Sequence, residues 1–131
     1  MIERCRHPRF AIGESSTPLA NLFFQQIAEE YRLPQLLSFR RWGEWQRDHP
    51  EIGCGIKRGF SFFHHRIGQV FSDDMQRRNQ LLVAASPRNE VADTHWYRPD
   101  FDHHLANEAQ RLGVEYFDQT ELVSFDEGPA G

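Results

Sequence analysis

The stretch His7-Pro8-Arg9-Phe10-Ala11-Ile12-Gly13-Glu14-Ser15-Ser16-Thr17-Pro18 decides how the rest of the chain is read. It ends as a helix begins: Ser16 or Thr17 can cap free amides, and Pro18 costs no hydrogen bond in a first turn. Leu19, Leu22, Phe23, Ile27 and Tyr31 follow at three- and four-residue spacing, which predicts a helix with one buried face, ended by Pro34. Ahead of that helix, Gly13 allows torsions that other residues resist and lets backbone approach a flat ring. Glu14-Ser15 set polar groups beside a helix N-terminus, where amides favour an anion or a polarised carbonyl. On these residues alone the stretch reads first as a capped loop-to-helix junction.

Outward from there, Leu36 to Gly59 interleaves Trp42, Trp45 and Cys54 with Gly43, Pro50, Gly53 and Gly55. No period survives, so the segment reads as irregular with one short helix around Trp42, its tryptophans serving as core or lid aromatics. Phe60-Ser61-Phe62-Phe63 and Val70-Phe71, separated by Arg66-Ile67-Gly68-Gln69, suit a hairpin, and Gln80 to Ala85 is a further strand candidate. Asp100 after Pro99 can cap a helix carrying Phe101, Leu105, Ala109 and Leu112 on one stripe, with Gly113 as a left-handed C-cap. Val114 to Phe117 and Glu121 to Phe125 read as short strands, and Glu127 to Gly131 as a frayed tail. Helices alternating with strands place the chain in the mixed α/β classes.

With 131 residues, 39% of them hydrophobic and 26% charged, the chain has the size and composition of one globular domain. Its apolar runs are too short for a membrane span, and a net charge of −4 without a basic block leaves no footprint for nucleic acid or an anionic membrane. A small-molecule partner is expected instead. Cys5 and Cys54, with no leader ahead of them, suit a reducing cytoplasm. Adjacent histidines at His64-His65 and His103-His104 diverge on helix or strand, which argues against a metal site. Of fifteen basic residues fourteen are arginine, and Lys57 is the lysine.

The N-terminal stretch resembles the P-R-F-x-I-G-E-S-x-x-P segment of FAD-dependent halogenases, tryptophan halogenase-like flavoproteins of the branch acting on phenols, pyrroles and related arenes. Ile56-Lys57-Arg58-Gly59-Phe60-Ser61-Phe62 resembles that family's K-R-G-x-x-F segment. Tyr97-Arg98-Pro99-Asp100-Phe101-Asp102, with Leu105, Ala109 and Gly113-Val114, resembles its R-x-x-F-D-x-x-L-x-x-x-A-x-x-x-G-V segment. Three motifs in order span roughly residues 1 to 126.

The resemblance implies part of a Rossmann-like FAD-binding domain with a mixed substrate-side sheet, truncated at both ends. Residues 1–35 would be the end of the second strand, the flavin strap and a helix; 36–97 the substrate-side sheet region; 98–131 a returning helix and strands. Met1-Ile2-Glu3 then reads as the end of a strand begun further upstream, and Glu3, otherwise a plain surface acid, falls on the ribose-binding position. Gly13, Glu14, Ser15 and Arg98 fall on the flavin, although Arg98 alone would read as a surface ion-pair partner. Lys57, otherwise an exposed lysine before a strand, falls at the end of a passage from the flavin. There it would hold hypohalous acid by hydrogen bonding or become a haloamine, which a permanently protonated arginine could not. The implied activity is halogenation of an electron-rich aromatic substrate, free or carrier-bound, using FADH2 from a separate flavin reductase, dioxygen and halide. A non-halogenating FAD-dependent reductase or monooxygenase is the alternative, and so is a non-catalytic piece. The sequence contains no G-x-G-x-x-G, so the chain alone is expected to bind FAD feebly and to be inactive. The family's W-x-W-x-I-P element has no counterpart, because Trp42-Gly43-Glu44-Trp45 differs in spacing and place.

Overall fold

The computed structural model describes residues 1–84, 86–125 and 128. The chain divides into two compact units, Ser15–Trp96 and a unit formed by Met1–Glu14 with Tyr97–Gly131.

The Ser15–Trp96 unit begins with α1 (Pro18–Glu30), whose first turn is capped by the Thr17 hydroxyl accepting from Ala20 N. The stripe expected to be buried is not. Leu19, Leu22, Phe23, Ile27 and Tyr31 are all exposed, whereas Ala28 is buried and Phe24 meets Trp96 edge to face at 5.5 Å. The reason is polar: Asn21 and Gln25, on the packed face, hydrogen-bond Asp93 and Arg40. That network sets the helix's rotation against its own apolar stripe.

The short helix expected around Trp42 is present as α2 (Trp42–Asp48), and the rest of the segment, read as irregular, is ordered into a 3-10 helix (Pro34–Phe39) and a strand that starts at Cys54. Its order comes from Trp45. That side chain is fully buried, packs edge-on against Phe39 at 4.8 Å and donates its indole N–H to Ile52 O at 2.9 Å. Gly43 is there for space: a Cβ on it would stand 2.6 Å from Glu90 O.

Strands β1 (Glu14–Ser15), β2 (Cys54–Lys57) and β5 (Asp93–Trp96) form a sheet in the order β1-β5-β2, with β2 and β5 antiparallel and Lys57 opposite Asp93. The second sheet is antiparallel β3 (Gly59–Phe63) and β4 (Gln80–Ala84). The expected hairpin is therefore corrected. Val70-Phe71 lies in the connection, and β4 takes the place as partner of β3 because five residues, Gly59 to Phe63, find five opposite from Gln80 to Ala84. Ala85, expected in that strand, lies outside the described residues.

In the other unit, helix α3 (Arg98–Arg111) is capped at Tyr97, three residues earlier than expected. Asp100 is thus in its first turn and not its cap, a place where a carboxylate still suits the helix dipole. Phe101 and Ala106 are buried, but Leu112, beyond the last turn, is exposed. Gly113 has φ +91°, and the bonds Gly113 N to Gln110 O and Val114 N to Ala109 O close a Schellman motif. Neither expected C-terminal strand forms. Val114 to Phe117 is reduced to a parallel bridge between Ile2 and Phe117, flanked by Glu3 N to Phe117 O and Phe117 N to Met1 O, and Glu121 to Phe125 has no strand partner among the described residues. Of the tail expected to fray, only Gly128 is described. No helix among the described residues is long and apolar enough to cross a membrane.

Candidate functional site

In the unit containing both ends of the chain, four ion pairs join three of the six expected site residues. Glu3 accepts from Arg9 Nε at 2.7 Å, and Arg9 lies 3.8 Å from Asp102. Asp102 receives Arg98 Nε at 2.5 Å and Nη2 at 2.9 Å, and Arg98 Nη1 reaches Glu14 at 2.6 Å. Glu3, Glu14 and Arg98 are thereby held in one relay whose connecting members, Arg9 and Asp102, the sequence reading did not single out. The signal was present: Arg98 and Asp102 are four apart on a helix, the spacing at which side chains meet.

The Glu3 carboxyl is held below the usual range, first by the Cys5 N–H at 2.9 Å and then by Arg9. The relay raises Arg98 further above its ordinary value, chiefly through Asp102. Gly13 is exposed, and among the described glycines only Gly68 and Gly113 have positive φ, so the torsional freedom expected of Gly13 is not used.

Beside Glu3 is a cavity of about 230 Å³ whose lining includes His7, Arg9, Asp102 and Tyr116. His7 is 8% exposed in its side chain and stacks on His103. Burial, before the Arg9 charge, lowers its basicity. His7 Nδ1 and Tyr116 Oη are buried with no hydrogen-bond partner among the described residues. A cavity holding two arginine-paired carboxylates, Glu3 and Asp102, and two orphaned ring groups suits a ligand that offers hydroxyls together with a heteroaromatic edge. The adenosine end of FAD is such a ligand, and the residues fit it.

In the Ser15–Trp96 unit, Ser15 Oγ lies 2.6 Å from His95 Nδ1. Lys57 is not the exposed lysine of the plainer reading. It is 8% exposed, donates from Nζ to Ser16 O at 2.7 Å and sits 3.9 Å from the Phe60 ring centroid. Ser16 is fixed in turn, its N–H donating to Thr94 O at 2.8 Å and its hydroxyl accepting from Thr94 N at 2.8 Å. The ammonium therefore occupies one defined place, with a single backbone oxygen taking one of its three donors. Across the sheet, Asp93 is 2% exposed and burial pushes its carboxyl up. Asp93 and its partner Asn21 are further polar residues the sequence did not reveal, since neither belongs to a recognisable spacing. Among the described residues no three histidine, cysteine or carboxylate side chains gather as a metal would need.

No family model matches the chain. It is 33% identical over 125 residues to monodechloroaminopyrrolnitrin halogenase PrnC of Pseudomonas fluorescens, covering 95% of this chain and 21% of that protein. It is 25% identical over 130 residues to tetracycline 7-halogenase of Kitasatospora aureofaciens, covering 98% of this chain and 22% of that protein. The crystal structure of halogenase PltM in complex with phloroglucinol and FAD superposes with a TM-score of 0.72 at 26% identity, over 97% of this chain and 24% of that one. The chain thus spans between a fifth and a quarter of the length of the relatives it matches. Two halogenases matched along almost the whole chain and a halogenase fold with FAD matched over the same span show that it resembles a segment of FAD-dependent halogenases throughout its length.

Proposed function

We propose that this chain contributes the ribose-side and substrate-side residues of an enzyme that halogenates an electron-rich aromatic substrate, using FADH2 from a separate reductase, dioxygen and halide. When bound, FAD supplies the electrons that let dioxygen oxidise halide. Glu3 would accept hydrogen bonds from the ribose hydroxyls, with His7 and Tyr116 offering polar edges to the base. Gly13, Glu14, Ser15 and Arg98 would line the flavin end; Arg98, already bound on three sides, acts there as a clamp that fixes Glu14.

Lys57 carries the reading. An ammonium removed from solvent, locked to Ser16 O and braced on Phe60, has donors left to hold hypohalous acid by its oxygen. The lysine nitrogen would otherwise take the halogen itself, N–X forming as the X–O bond of hypohalous acid breaks and an ammonium proton leaving with that oxygen as water, a route not open to arginine's guanidinium. Either route leaves the halogen electrophilic and excludes bulk water, which would otherwise disperse it.

The test uses this segment within a chain of the relatives' length, supplied with reduced FAD, dioxygen and chloride or bromide. Lys57→Ala should lower halogenated product by at least about a thousandfold while flavin oxidation continues, a loss in the range of a removed transition-state contact or more. Lys57→Arg should restore little. Unchanged halogenation in Lys57→Ala would remove the role. Flavin turnover with no halogenated product in the wild type would select a non-halogenating oxidoreductase.

A further inference from the structure

We propose that a cleft beside α1 binds small molecules through an uncharged –NH2 group, with Asn21 Oδ1 and Asp93 Oδ2 as its two acceptors. This goes beyond halogenation, because the cleft's polar set would bind whether or not Lys57 receives halogen.

The cleft, about 370 Å³, has Pro18, Leu22 and Val91 as apolar walls and Asn21, Asp93 and Arg41 among its polar lining. Asn21 Nδ2 donates to Asp93 Oδ1 at 2.7 Å, which fixes the amide's orientation. Two oxygens are then left over, Asn21 Oδ1 and Asp93 Oδ2. Both are buried and neither has a hydrogen-bond partner among the described residues. Leaving two such acceptors unmatched is unfavourable, so a ligand that supplies donors is favoured. An –NH2 group carries two N–H donors, one for each oxygen; a hydroxyl carries one.

Charge decides between an amine that is protonated and one that is not. Lys57 stands opposite Asp93 in the sheet, and Arg40 and Arg41 both line the cleft. Glu44 neutralises Arg40 at 2.9 Å, whereas Arg41 has no ion-pair partner among the described residues. One carboxylate therefore already faces two unneutralised cations. An ammonium would add a third, while an arylamine or a primary carboxamide brings the same two donors without charge. The Arg41 guanidinium suits either, lying over an aromatic ring or donating to an amide carbonyl. Burial pushes the Asp93 carboxyl up, and the one N–H donated to Oδ2 would draw it back down.

The experiment titrates the folded 131-residue chain with aniline, benzamide, N,N-dimethylaniline and benzylamine, following the Asn21 side-chain amide and the Thr94 backbone amide by NMR. Aniline, benzamide or both should give saturable shifts in the millimolar range, and whichever binds identifies the arylamine or the carboxamide source. Dimethylaniline, lacking donors, and benzylamine, a cation, should bind at least about tenfold more weakly. Asp93 also holds Asn21, so substituting it risks the fold. Leu22→Trp instead fills the cleft from an exposed position and should weaken binding at least about tenfold while leaving the spectrum otherwise folded. Dimethylaniline equal to aniline would mean apolar contact alone, and benzylamine tightest would mean simple charge attraction. Absence of saturable shifts from every probe would mean that water satisfies the pair, and each of these three results overturns the proposal.

Discussion

Trp45 makes two kinds of contact that separate cleanly by substitution. The indole is fully buried against Phe39, and its N–H satisfies Ile52 O. Trp45→Ala should destabilise the Ser15–Trp96 unit by about 3–5 kcal/mol, through lost burial and the cavity it leaves. Trp45→Phe keeps a ring in place but strands the carbonyl, and should cost about 1–3 kcal/mol. Urea unfolding of both variants, followed at an amide in β5, measures the difference. Lys57 shows how far single residues could be read from sequence: its isolation among fourteen arginines marked it, but nothing in the spacing announced that Ser16 O and Phe60 would hold it in the interior. Asp93 and Asn21 left no trace at all. Their meeting depends on β5 passing beside α1, and residues separated by 72 positions carry no local signal of such a contact.

At the scale of elements, legibility followed whether the deciding interaction was local. The first turn of α1, its Thr17 cap and the Gly113 terminator of α3 are specified within a few residues, and each is where the sequence places it. Strand partners are not local, which is why β3 was readable as a strand but paired with β4 and not with Val70-Phe71. The rotation of α1 failed for a related reason, since a polar network with β5 and Arg40 outweighed the helix's own apolar stripe. Gly113 offers a sharp check on the local half. A Cβ there would meet nothing within 4 Å, so Gly113→Ala carries only the torsional penalty of a left-handed residue, about 1–2 kcal/mol. Gly113→Asn should recover part of that loss, because asparagine tolerates this conformation. Thermal melting of the two variants, with amide exchange at Val114 reporting the last turn, gives the comparison.

At the scale of the whole molecule, the two units contain buried titratable groups whose linkage to stability has opposite sign. His7 belongs to the unit of Met1–Glu14 and Tyr97–Gly131, and its folded pKa lies below the ordinary 6.5 because burial disfavours the imidazolium; Arg9 and His103 add to this, while Glu3 and Asp102 oppose it. The unfolded chain then binds more protons in that range, so the stability His7 contributes is complete above pH 6.5 and is lost as pH falls through its folded value. Asp93 belongs to Ser15–Trp96, and burial raises its folded pKa above 3.8, with Asn21 and Lys57 opposing. Here the folded state binds more protons. The Asp93 contribution is complete below pH 3.8 and is lost as pH rises through the folded value. Amide exchange resolved by unit, corrected for its intrinsic pH dependence, should show protection of Phe101 and Ala106 falling between pH 7 and pH 5. His7→Gln should flatten that fall and leave Thr94 and Ala92 unaffected. Equal acid sensitivity of both units in the wild type, unchanged in His7→Gln, would show that neither buried group governs its own unit, and would assign the pH response to surface charge instead.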